Sequence, residues 1–171
     1  GDPILADILE ECGMEYESPI TGASFDVYDV MQVTDPTILD GKFQGKAIAE
    51  FRDFKAFECI NLDYIGEAWF KDCTELQGIE LPSTLQFIGA QAFKNCQLLD
   101  DVVIPEKVLN IDTEAFNGCS RLKSLTFLST VPAVLGYEVF TGLPEDYVIY
   151  VPESAVRSYK QIWSQYADHI Q

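Results

Sequence analysis

The chain is 171 residues long and 47% apolar, and its 28 acidic against 11 basic residues give a formal net charge of −17. That is enough material for one domain with a substantial core, and no window approaches the roughly 20 apolar residues of a membrane-spanning helix. The charge argues against nucleic acid and against anionic membrane surfaces, both of which need a basic face; solubility is its plain reading, with a cationic partner or calcium as the sharper alternatives.

Charge divides the chain unevenly. Residues 1–41 hold ten acidic residues and no Lys or Arg, and the break at Gly41 and Lys42 marks an organisational boundary. No export signal is visible ahead of Gly1, and a removed leader stays open. DPILADILEEC spaces Ile4, Leu5, Ile8 and Leu9 helically behind Asp2 as N-cap. SFDVYDVMQV reads as a second helix on Val27, Val30 and Met31, with a strand by alternation as the alternative.

A unit of 23 residues then repeats. From Ile65 it reads IGEAWFKDCTELQGIELPSTLQF, from Ile88 IGAQAFKNCQLLDDVVIPEKVLN, and from Ile111 IDTEAFNGCSRLKSLTFLSTVPA. Phe70, Phe93 and Phe116 share one slot; Cys73, Cys96 and Cys119 share another; Leu76, Leu99 and Leu122 a third. Such a period predicts a solenoid, whose single unit cannot bury its apolar side without stacked neighbours. Upstream, Phe51–Leu62 aligns on Phe70–Leu81, placing Phe54 in the Cys slot and Phe57 in the Leu slot. Downstream, Phe140 and Leu143 continue the pattern, giving five units. In each, L-x-x-I-x-L-P is a strand with inward residues Ile79 and Leu81, Val102 and Ile104, Leu125 and Phe127, Ile149 and Val151. Pro82, Pro105 and Pro152 end it. The strands should pair in parallel, and the segment around Gln91–Asn95 should form a single helical turn whose Phe closes the core from the opposite wall.

The three spaced cysteines do not follow zinc or small-disulfide patterns. The same slot takes Leu143, so Cys serves there as a small hydrophobe. Cys12 and Cys59 lie outside the ladder. Pro152–Ile170 reads as a capping helix with Ala155, Tyr159, Ile162, Trp163 and Tyr166 on its apolar stripe. The sole histidine, His169, reads as a solvated residue of that cap.

These units resemble the BspA-type leucine-rich repeat, whose I-G-x-x-A-F-x-x-C-x-x-L-x-x-I-x-L-P pattern matches Ile88 to Pro105 almost slot for slot. The closing stretch from Val148 to Ile170 is similar to the terminal cap of such proteins from gut and oral anaerobes. The resemblance implies a non-enzymatic, secreted or cell-surface protein; some relatives adhere to host matrix proteins or other bacteria. In some similar proteins the leader resembles an EF-hand. Here Gly13–Ser24 reads GMEYESPITGAS and lacks the alternating Asp/Asn and central Asp-Gly that calcium needs, so we expect a degenerate loop without an ion, covering the open end of the first repeat. The expected architecture is an α+β repeat solenoid: an acidic N-terminal cap at 1–42, repeats with about five short parallel strands at 43–152, and a C-terminal cap at 153–171.

No G-x-S-x-G, Walker loop, HExxH or dinucleotide fingerprint occurs. Glu80 and Asp101, outward on adjacent strands, are the best carboxylate pair available to a glycosidase-like mechanism, and chance placement on an acidic repeat surface explains them as well. No catalytic residue, cofactor or metal is expected. The outward strand residues should form two exposed rows, Asn61, Glu80, Val103, Thr126 and Tyr150 beside Cys59, Gly78, Asp101, Ser124 and Val148. Asn61, Glu80, Asp101, Val103, Ser124, Thr126 and Tyr150 are the candidate ligand residues, and a protein or peptide is the expected partner. A spacer without a ligand, or weak carbohydrate binding, are the alternatives; only Tyr150 supplies the exposed aromatic that a sugar site favours.

Overall fold

A computed structural model describes residues 3–13 and 30–171. Helix α1 (Pro3–Glu11) buries Ile8 and Leu9, while Ile4 stays at the surface. The expected loop over Gly13–Ser24, save Gly13 itself, and most of the expected second helix lie outside the described residues. From Phe43 the chain winds into a parallel β-solenoid of about four turns. Its strands are β1 (Glu50–Phe51), β2 (Tyr64–Ile65), β3 (Gly78–Ile79), β4 (Phe87–Ile88), β5 (Asp101–Ile104), β6 (Asn110–Ile111), β7 (Ser124–Phe127), β8 (Val134–Leu135) and β9 (Val148–Tyr150).

Each turn has three walls. On one, β1 pairs with β3, and β5, β7 and β9 form a second parallel group. On the next, β2, β4, β6 and β8 pair in order, aligning Ile65, Ile88, Ile111 and Leu135. The third wall is the segment expected to be a helical turn, and it is not one. Ala68, Gln91, Glu114 and Glu138 open it with φ of 53–58°, and Asp72, Asn95, Gly118 and Gly142 near its end have φ of 60–84°. These left-handed residues turn alternate N–H groups out of the coil and onto the next turn. Gln91, Phe93 and Asn95 thus donate to the carbonyls of Thr113, Ala115 and Asn117 at 2.7–2.9 Å. A non-glycine residue in this region costs roughly 1–2 kcal/mol, and the ladder of hydrogen bonds across the stack offsets it. Asp72 and Asn95 are among the types that accept it most readily.

The inward Phe side chains stack. Phe43, Phe70, Phe93 and Phe116 follow one another at centroid spacings of 5.1–5.2 Å and tilts of 3–14°, and Phe140 follows at 6.5 Å. The ladder therefore begins at Phe43, and the register read for the first unit needs correction. Phe51 is a strand residue opposite Ile79, while Phe54 and Phe57 bury inward from a 3-10 helix (Arg52–Ile60) that replaces the short turn of later units. The first unit is longer than the others, so an alignment at constant spacing slides it.

Beside the rings runs a column of thiols. Cys73, Cys96 and Cys119 donate through Sγ to the carbonyls of Phe43, Phe70 and Phe93 at 3.0–3.1 Å. No cysteine is in a disulfide, and all but Cys59 are buried.

The ends are closed by aromatic residues. Trp69 takes the slot of Ala92 and Ala115, stays fully buried, and donates its indole N–H to Asp40 at 2.7 Å, which ties the short 3-10 helix Pro36–Leu39 to the first full turn. At the other end α2 (Val156–Ile162) stops at Trp163, whose φ of −101° and ψ of 53° break the expected continuous helix. Tyr159 and Trp163 cover Phe127, and Tyr166 meets Phe140 edge-on at 5.1 Å. Ile162, expected on the buried stripe, faces out at 62% exposure. The chain then extends along β9, with Gln171 donating to Ile149 and accepting from Val151. His169 is not freely solvated: it stacks on Tyr147 at 3.8 Å and its protonated Nδ1 donates to the Tyr147 carbonyl at 2.8 Å.

Two outcomes follow from this core. Phe93→Ala empties the middle of the ring stack and should lower unfolding stability by about 3–5 kcal/mol in a denaturant titration. Alkali should also unfold the protein early. Burial pushes the Cys73 thiol from an ordinary 9.0 up to about 11, Cys96 is likewise raised by its contact with Cys119 and by burial, and burial pushes Tyr159 up to about 12. The folded state holds protons that the unfolded state releases, so the contribution of these groups should be constant below about pH 8.5 and be lost as pH rises through 11, read as a denaturation midpoint that declines on the alkaline side.

Candidate interaction face

On the wall carrying β1, β3, β5, β7 and β9 the outward residues change from turn to turn. Strand alternation puts Glu50, Gly78, Asp101, Ser124 and Val148 in one outward row, as the pairings of Glu50 with Gly78 and of Asp101, Ser124 and Val148 require. The adjoining row is Arg52, Glu80, Val103, Thr126 and Tyr150. Six of the seven candidate residues, Glu80, Asp101, Val103, Ser124, Thr126 and Tyr150, are thus gathered on this face. Asn61 is not. It caps the 3-10 helix Arg52–Ile60 in the left-handed region with φ of 54°, and Cys59 lies in that helix. Both were displaced by the register of the first unit; Arg52 and Glu50 hold their places.

Arg52 shapes the charged end of the face. Its Nε lies 3.3 Å from Glu50 and its Nη1 3.9 Å from Glu80. The guanidinium crosses Gly78, where an added Cβ would come within 2.6 Å of Arg52 Nη2 and 2.5 Å of Glu50. Glycine is therefore the residue that lets this pair lie flat on the strand. Lys55 stands on the helix that follows, and that helix is fixed by Glu58, which accepts from both the N–H and the hydroxyl of Ser83 at 3.2 and 2.9 Å. Those two bonds hold the Glu58 carboxyl below its usual range.

The sheet opens here. β3 and β5 do not pair, and one long bond, Asp100 N–H to the Gln77 carbonyl at 3.4 Å, spans them. Elsewhere along this line the equivalent bonds, Gln77 to Ala49 and Lys123 to Asp100, measure 2.8–2.9 Å. Two adjoining clefts of about 360 and 370 Å³ flank the opening and share Arg52 and Asp101. The first is rimmed by charge, including Asp100, Arg121 and Lys123. The second has an apolar floor of Ile79, Leu81 and Pro105 between Val103 and Leu128, with Glu80 on its rim. The face therefore runs from mixed charge at β1–β3 to Val103, Thr126, Leu128 and Tyr150 at β5–β9.

Reading the sequence missed Arg52, Lys55, Arg121, Lys123 and Leu128. The signal for Leu128 was present: it fills the slot where other units have Pro82, Pro105 and Pro152. Arg52 was hidden by the shifted first unit. Glu80 and Asp101 both line the second cleft, from strands that do not pair, and Glu80 is engaged by Arg52. Among the described residues, no group of three or more His, Cys, Asp or Glu is placed to hold a metal ion, and no helix is long and apolar enough to cross a membrane.

The winding, the Phe ladder and the Cys column agree with a comparison against family models, which matches the BspA type leucine rich repeat region in six copies over residues 41–161. A comparison with curated proteins finds no significant match. Stacked repeats of this kind characteristically act as binding scaffolds rather than as catalysts. With the match spanning well over half of its length, the chain belongs to the BspA-type leucine-rich repeat family.

Proposed function

We propose that this is a non-enzymatic binding module, secreted or attached to a cell surface, that recognises a protein or peptide through the outward face of β1, β3, β5, β7 and β9. The opening between β3 and β5 carries the reading. It is the place on a regular scaffold where the repeat is interrupted, and charged, polar and apolar groups converge there. Glu80 and Asp101 contribute charge, Ser124 and Thr126 hydrogen-bonding hydroxyls, and Val103 and Tyr150 apolar area. The fold makes this economical: the ring stack and the hydrogen-bond ladder on the third wall hold the core, so outward residues are free to vary. A face of five short strands is small, and adhesion through many weak contacts suits it better than tight single-site capture.

Binding of the full chain to arrayed extracellular-matrix proteins and glycans, beside the Glu80→Lys/Asp101→Lys variant, tests this. Both side chains are exposed, so the variant should keep its circular dichroism spectrum. A protein that binds the parent chain and is lost by the variant is the expected result. Unchanged binding would assign the wrong face, a glycan in place of a protein would make this a carbohydrate binder, and silence on both sets would leave a spacer.

A further inference from the structure

We infer that the opening between β3 and β5 is an anchor slot for one apolar side chain of a partner protein, presented on an extended segment with an acidic residue on one side of the anchor and a basic residue on the other. This rests on the face proposed above and names the chemistry it selects.

The slot exists because the core is incompletely covered at this turn. Ile79 and Leu81 are 5% and 7% exposed, whereas Val102, Ile104, Leu125, Phe127 and Ile149 on later turns are 0–3% exposed; Val151, on the last turn beside the cap, is again only half-buried. Where strands pair, the hydrogen-bonded backbone seals the inward residues; between β3 and β5 it does not. Val103 and Leu128, 46% and 50% exposed, extend the apolar floor upward as walls. Water over Ile79, Leu81 and Pro105 finds few polar partners, so an apolar group displaces it favourably.

Charge narrows the occupant. Lys55 and Asp101 both line the slot, and among the described residues neither forms an ion pair. Each can therefore take an opposite charge from a ligand without breaking an ion pair, although Lys55 also acts on the nearby Glu58 carboxylate, whereas Arg52 is already held by Glu50. Two rim charges of opposite sign favour a segment that carries both, and a strongly acidic segment would be repelled by a chain of net charge −17. A cleft of about 370 Å³ is too small for a folded element and suits the side chains of an extended segment. The face offers Tyr150 and no aromatic cluster on which a sugar could stack.

Panning a random peptide library displayed on phage against the full chain tests the slot. Enriched peptides should share an apolar residue with acidic and basic neighbours. They should bind the Val103→Asp/Leu128→Asp variant at least about tenfold more weakly, and Lys55→Glu several-fold more weakly, the scale expected for a buried anchor and a rim charge. Both substitutions fall on surface positions, and the denaturation midpoint of each variant verifies its fold. Enriched peptides without an apolar anchor, peptides indifferent to Val103→Asp/Leu128→Asp, or no enrichment would each overturn the slot. Peptides indifferent to that variant but lost by Glu80→Lys/Asp101→Lys would overturn it while leaving the face standing; peptides indifferent to both would remove both.

Discussion

Parallel stacking of Phe70, Phe93 and Phe116 at 5.2 Å sets the pitch at which everything else must repeat. That spacing is close to the distance between hydrogen-bonded strands, so the rings and the backbone ladders can share one period without strain. Once the pitch is set, the room beside each ring is set too. A thiol fills it and donates a hydrogen bond to the carbonyl of the Phe one turn back. Cysteine suits the place because it is small, apolar and still a weak donor. Serine would bring a hydroxyl that asks for more than one partner, and alanine would leave a void.

The same pitch decides where glycine is needed. An added Cβ at Gly89 would come 2.7 Å from the Ile65 carbonyl and 2.8 Å from the Glu67 N–H, both backbone atoms of the preceding turn that cannot move alone. At Gly78 the obstruction is different, since the flexible ends of Arg52 and Glu50 could swing away. One glycine is required by the coil and the other by the surface. Only the second touches the proposed interaction face, because it determines whether Arg52 lies along the strand or stands off it.

How much of this was legible follows from what repeats. The Phe and Cys columns, the inward strand residues and the terminal proline are written at constant spacing, and each was readable from Ile65 to Phe127. The third wall was misread because Gln91-Ala92-Phe93-Lys94-Asn95 has good local helix formers. Its left-handed φ values exist only because the next turn accepts its N–H groups, a nonlocal reason that no single unit displays. The first unit was misplaced for the complementary cause. Its helix Arg52–Ile60 changes the spacing, and Phe51, Phe54 and Phe57 offered a false match to the true ladder residue, Phe43. Asn61 was lost from the face and Arg52 missed by that one slip. The opening between β3 and β5 could not have been read at all, since Gly78-Ile79 and Val102-Val103 obey the same strand pattern.

Surface charge has to be weighed at two ranges. At long range the chain is an anion, and screening over roughly 8–10 Å at physiological ionic strength limits that field to the final approach. Close to the clefts the balance changes. Arg52, Lys55, Arg121 and Lys123, four of the eleven Lys and Arg, stand with Glu50, Glu80, Asp100 and Asp101, four of the 28 Asp and Glu. A basic partner is drawn to the molecule as a whole but gains least at this face; an acidic one meets repulsion almost everywhere else. A segment of balanced charge avoids both penalties. The apolar floor then supplies the affinity that screened surface ion pairs cannot, each of them worth about 0–1 kcal/mol. On this view the charges choose the orientation of the bound segment, and Ile79, Leu81, Val103 and Leu128 hold it.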